Sequence, residues 1–128
     1  MVIRSERGAV AVEFALVLPV LLLLIMGIVE FGRAYNAQLT LTNAAREGVR
    51  VMAINNSQAA ARAAALTAAA NLSPTLKGTD IVFLASDGTT NCSATTQMSV
   101  TINYTLNTLT GIAGPFAMKS KGTMLCGG

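Results

Sequence analysis

Residues 8–29 read GAVAVEFALVLPVLLLLIMGIV, and no charge interrupts the run from Phe14 to Val29. A helix that crosses a bilayer needs roughly 20 predominantly apolar residues, about 30 Å at 1.5 Å per residue. Extending the run back to Ala9 brings it to that length with Glu13 as its one interruption. The stretch is therefore expected to span a membrane. Arg4 and Arg7 precede it, with Glu6 the only acid on that side. Positive residues stay on the cytoplasmic side, so the N-terminus is expected inside and everything beyond Glu30 outside. A secretory signal peptide is the plainer rival, but Val29-Glu30-Phe31-Gly32-Arg33 lacks the small-x-small pattern of a cleavage site. A simple single-pass anchor explains the length and leaves Gly8 and Glu13 without a reason.

Glu13 lies about 6 Å inside Ala9 along the helix. A carboxylate in hydrocarbon is costly and marks a functional site by default. It can snorkel to the headgroups, or it can find a cation. A cut after Gly8 would give Ala9 an α-ammonium four residues before Glu13, on the same helix face. That amine could pair with Glu13 of its own chain or of a neighbour.

The rest of the composition narrows the chemistry. The 128 residues are 52% hydrophobic and only 12% charged, with a formal net charge of +3, far from the quarter charged that soluble domains carry. With no His, there is no His base, no Ser-His or Cys-His pair and no His-ligated metal. Two Cys cannot build a four-thiolate zinc site. The basic residues are too few and too scattered for a nucleic-acid footprint. Ser120 between Lys119 and Lys121 has no nucleophile elbow and no acid partner. Neither an enzyme nor a cofactor is expected.

Beyond the span, Ala37, Leu41, Ala44, Ala45, Gly48 and Met52 recur near helical spacing among polar residues. One nearly continuous helix is expected from Ala9 to Ile54, bent at Pro19 and ended by Asn55-Asn56. Its outer half is a stem whose small residues suit close packing on a sheet, with a contact to another subunit as the rival use of that face. Glu30 and Arg33, one turn apart, mark the outer membrane boundary. Ser57 can cap a second, alanine-rich helix over 58–71.

From Asp80 the period changes to two. Residues 81–84 form a short apolar strand, Asp87-Gly88 a turn, and Gln97–Leu106 a strand with Met98, Val100, Ile102, Tyr104 and Leu106 on one face. Residues 109–116 read as a loop and 117–126 as the last strand. The expected fold class is α+β, a three-stranded antiparallel sheet laid on the stem. So small a core commonly needs a staple. Cys92 and Cys126, both outside by the charge argument, can supply it as a disulfide. Asp87-Gly88-Thr89-Thr90-Asn91 offers one carboxylate, too few for a strong calcium site, and reads as a turn.

Arg7-Gly8-Ala9-Val10-Ala11-Val12-Glu13-Phe14 resembles a class III prepilin processing site, with Gly before the cut, Glu as the fifth mature residue and an aromatic after it. The continuation through Pro19, then Glu30-Phe31-Gly32-Arg33 and Asn43-Ala44-Ala45-Arg46-Glu47-Gly48-Val49-Arg50, resembles the TadE family of pilin-like proteins of the tight-adherence (Tad, Flp-type) pilus systems. The resemblance covers Arg7 to about Ala53; the remainder matches only in layout. It implies a leader over 1–8, a transmembrane helix over 9–30 and an extracytoplasmic pilin-like domain over 31–128. It also implies Gly8, Ala9, Glu13 and Phe14 as the processing site, with Ala9 and Glu13 acting in assembly. The implied partners are a prepilin peptidase, other pilin and pilus-assembly subunits, and the lipid bilayer of the inner membrane; no nucleic acid is implied. The implied function is that of a minor pilin or pseudopilin, since Flp-type major pilins are shorter and lack an outer domain. A single-pass anchored binding module, unprocessed, is the alternative.

Overall fold

The computed structural model describes residues 3–127, with side chains from residue 6 onward. The first two residues of the expected leader and the Arg4 side chain of the charge argument lie outside the described residues. The chain forms two units, Met1–Arg33 and Ala34–Gly128.

Helix α1, Ile3–Asn55, contributes to both and continues through Pro19. It begins six residues before the expected start at Ala9. Residues 3–7 contain no helix breaker, and Glu6 in the first turn favours a helix N-terminus. Gly8 in a helix interior costs about 1 kcal/mol relative to Ala, too little to stop so long a helix. Within the first unit, the large apolar side chains from Val10 to Val29 are exposed. The most apolar 18-residue window of this helix has a mean hydropathy of 2.8 and none of it is buried. A surface of this kind has no stable place in water, and it fits a single-pass membrane anchor.

The second unit is built on the outer part of α1. Ala37, Leu41, Ala44, Ala45, Val49 and Met52 of the stem are buried in one hydrophobic core, which confirms the small-residue face as a packing face of the domain's own core. Asn56 ends the helix in a left-handed conformation, φ 48°, where Asn is among the few residues tolerated. Its N–H donates to Met52 O at 2.9 Å.

Ser57 then caps helix α2, Gln58–Ala68, its hydroxyl accepting the Ala60 N–H at 3.2 Å. The helix stops three residues short of the expected end at Asn71. The chain turns after Ala69 and carries Leu72 and Leu76 into the core. The fully buried side chains of α2 are Ala61 and Ala65, with Leu66 packed at the edge of the core, so the helix lies close to its neighbours. A Cβ on Gly48 of α1 would come within 3.3 Å of Ala65 Cβ and 3.6 Å of Val100 Cγ1. That glycine is where stem, α2 and sheet converge.

A turn of 3-10 helix, Gly78–Asp80, leads into β1, Ile81–Ala85. Strands β2, Gln97–Leu106, and β3, Phe116–Leu125, complete an antiparallel sheet in the order β1-β2-β3. Val100 stands opposite Phe83 on one side and Gly122 on the other. The expected alternation of β2 holds at every position: Met98, Val100, Ile102, Tyr104 and Leu106 are buried. On β3 the inward positions are Phe116, Met118, Ser120, Gly122 and Met124. A Cβ on Gly122 would lie 2.7 Å from Ala45 O and 2.9 Å from Ala45 C, so β3 rests on the backbone of the stem. Arg62 of α2 donates from Nη1 to the carbonyls of Gly78 and Ile81, the latter at 3.0 Å. Its guanidinium also sits over the Phe83 ring, 5.2 Å from the centroid, which closes one end of the β1 edge with a cation–π contact. The α+β class and three-stranded sheet expected from the sequence are the fold observed.

Candidate functional site

The N-terminal site is a stretch of exposed helix. Gly8, Ala9, Glu13 and Phe14 all belong to α1 and all are exposed. Among the described residues, nothing outside the local helix backbone lies within 4 Å of a Cβ built on Gly8. Four residues make just over one helical turn, which stacks Ala9 and Glu13 on one face. Glu13 makes no hydrogen bond or ion pair with any described residue. At the other end of the apolar run, Arg33 Nη1 lies 3.5 Å from Glu30 Oε2, as expected for a pair one turn apart.

The outer domain offers stapling and turn chemistry. Cys92 and Cys126 are joined in a disulfide with Cα atoms 5.6 Å apart. The Cys92 N–H donates to Asn56 Oδ1 at 2.7 Å, and Gly127 N donates to Ala53 O at 3.3 Å. The bond thus ties the segment between β1 and β2, the end of β3 and the end of the stem into one knot. Asn56, which ends α1 and receives Cys92, was not legible as a partner, because the two residues are 36 positions apart.

Asp87 serves its turn. It accepts from Thr89 N at 2.9 Å and from Thr89 Oγ1 at 2.7 Å. These bonds, the hydroxyl's first, hold its carboxyl below the usual carboxylate range. Gly88 provides the positive φ of 84° that the turn requires. On the stem, Arg50 grips Glu47 through Nη2–Oε1 at 2.7 Å and Nε–Oε2 at 3.1 Å. That hydrogen bond lowers the Glu47 carboxyl from its ordinary value. Both pairs are exposed and belong to surface structure.

A groove of about 620 Å³ runs beside the roots of the β2–β3 loop, lined among others by Pro74, Lys77, Asp80, Asn107 and Lys119. Tyr104, also on its wall, donates its hydroxyl to Pro74 O at 2.7 Å. Ser120 is turned inward, its Oγ 3.2 Å from Thr42 Oγ1, and so it is not presented between Lys119 and Lys121 as a nucleophile.

The chain thus joins an exposed apolar helix that fits a single-pass membrane anchor to a small disulfide-linked α+β unit. The family model described as TadE-like protein matches residues 8–50, the segment whose motifs carry the resemblance. This match begins at Gly8, includes Ala9, Glu13 and Phe14, and ends in the stem at Arg50. The chain is similar to that family over this segment, about a third of its length. No curated protein and no solved structure matches the chain.

Proposed function

We propose that this chain is a minor pilin or pseudopilin of a Tad pilus, held in the inner membrane with its N-terminus in the cytoplasm. In this reading a prepilin peptidase hydrolyses the Gly8–Ala9 bond, leaving a carboxylate on Gly8 and an ammonium on Ala9. The chain is the substrate and performs no catalysis. The trimmed subunit then joins other pilin and assembly subunits and serves pilus assembly or surface adhesion. One coincidence carries the proposal. The segment matched by the TadE-like model is also the segment where an uncovered apolar helix holds a lone carboxylate one turn beyond an accessible glycine.

Intact mass of the chain recovered from membranes tests the cut. The wild type is expected to lack residues 1–8, and Gly8→Leu is expected to retain them, because bulk beside the scissile bond hinders its entry into the peptidase. Wild-type protein that keeps the leader in a host with active peptidase would replace this reading with that of an unprocessed binding module.

Glu13 is assigned to assembly. Glu13→Ala removes a charge from the lipid phase, so the mutant is expected to stay in the membrane with the second unit folded. Pili recovered by shearing should nevertheless fall severalfold, because the Ala9 ammonium has lost its partner. Unchanged pilus yield would remove the pairing from the scheme.

A further inference from the structure

The β2–β3 loop, residues 107–115, has no role in the reading above. It carries two large apolar side chains in the open, Leu109 at 61% exposure and Ile112 at 76%. They are held out by structure: Gly111 N donates to Thr108 Oγ1 at 3.1 Å, and Gly111 and Gly114 take positive φ values of 70° and 100°. No charged residue occurs between Asp87 and Lys119, so the loop carries nothing that hydrocarbon would reject. At its roots, however, Lys77 and Lys119 share one groove with Asn107.

The position of the loop in the domain follows from how β3 lies on the stem. Gln38 Nε2 donates to Lys119 O at 3.3 Å, Thr42 meets Ser120, Ala45 lies against Gly122, and Ala53 receives Gly127 N. Stem and β3 therefore advance in the same direction. The loop that precedes β3 lies at the end of the domain where the stem begins. The stem of this unit begins at Ala34, five residues after Val29, the last residue of the apolar run. Phe116 precedes Lys119 by about 10 Å of strand toward that same end. The loop lies beyond Phe116 at that end of the unit.

We infer that the β2–β3 loop is a second membrane contact, in which Leu109 and Ile112 enter the outer lipid interface while Lys77 and Lys119 face the lipid phosphates. The inference rests on the reading of residues 9–29 as a membrane span. Apolar tips backed by cations are the chemistry of interfacial membrane binding. The contact would fix the height and orientation of the domain over the bilayer, which a single helix leaves free to swivel.

The chain contains no Trp, so one introduced Trp reports on its own surroundings. Three full-length variants are reconstituted in vesicles of phosphatidylethanolamine and phosphatidylglycerol, with part of the lipid brominated near the carbonyl end of the acyl chains. Ile112→Trp reports on the loop. Leu22→Trp reports on the span. Leu84→Trp reports on an exposed apolar position opposite Ser99, at the other end of β2 from the loop. Ile112→Trp is expected to lose roughly half its emission, since a ring about 5–10 Å into the headgroup boundary lies within reach of the bromines; Leu84→Trp should lose none. Quenching of Leu22→Trp without quenching of Ile112→Trp would overturn the loop contact and leave the anchor standing. A blue-shifted but unquenched Ile112→Trp would show the loop covered by protein and would also overturn it. If Leu22→Trp with its emission maximum matching water exposure escaped quenching, the anchor reading itself would fall.

Discussion

Replacing Cys92 and Cys126 together by alanine is expected to destabilise the outer domain by about 3–4 kcal/mol, the loop-closure entropy released to an unfolded chain that is no longer tied across some 35 residues. For a domain of this size each kcal/mol shifts the melting midpoint by about 4–8 °C, so the double mutant should melt roughly 15–25 °C below the wild type. Circular dichroism of the full-length chain in detergent, with and without reductant, checks this. Reduced wild type and the double mutant should melt together. The domain has few other reserves: the fully buried side chains of its second helix are two alanines, and its sheet has three strands. Equal midpoints for oxidised and mutant protein would mean that the stem and sheet hold the fold without the staple.

Gly122→Ala is expected to have the next largest effect, about 3 kcal/mol at the upper end of overpacking costs. The added methyl would sit 2.7 Å from Ala45 O, and a helix backbone cannot move aside as a flexible side chain can. Strand β3 must lift from the stem, which loosens Ser120 from Thr42 and Lys119 O from Gln38 as well. Gly48→Ala is the instructive contrast. Its methyl meets Ala65 Cβ at 3.3 Å, a contact that a small shift of α2 relieves. The change also recovers about 1 kcal/mol of helix propensity. That mutant should remain near the wild type in a denaturant melt, while Gly122→Ala drops well below it.

These two glycines divide what the sequence displays from what it conceals. Gly48 stands in a helical row with Ala44, Ala45 and Met52, and the row announces a close approach before its neighbours are known. Gly122 interrupts an alternating strand and reads locally as a missing side chain; its partner, Ala45, is 77 residues away and belongs to a helix. Patterns of short period were legible for the same reason that Gly122 was not. The alternation on β2 and the caps at Asn56 and Ser57 depend on neighbours in sequence. Helix α2 ends three residues before Asn71 although Ala69, Ala70 and Asn71 are acceptable in a helix, because the burial of Leu72 and Leu76 turns the chain there. Arg62 was invisible as an edge cover, since nothing in an alanine run points to a strand nineteen residues on. At the N-terminus the sequence was more informative than the fold. Gly8 and Glu13 stand out by spacing and by cost in lipid, whereas in the structure they are two exposed positions on a helix.

The disulfide also matters when the chain is pulled. A pilus subunit, or any domain tethered to a membrane and gripped from outside, carries load along its covalent backbone. With the bond in place, the tension passes directly from Cys92 to Cys126 and bypasses β2, the β2–β3 loop and β3. About 120 Å of contour, 34 residue steps at roughly 3.5 Å each, is thereby locked out of extension. A stretched molecule would yield at the stem, α2 and β1 and then stop short, its two-stranded remnant still closed into a ring. The linkage acts as a stop: it sets how far a loaded subunit can unravel, and the enclosed β2–β3 hairpin bears no tension while the bond holds.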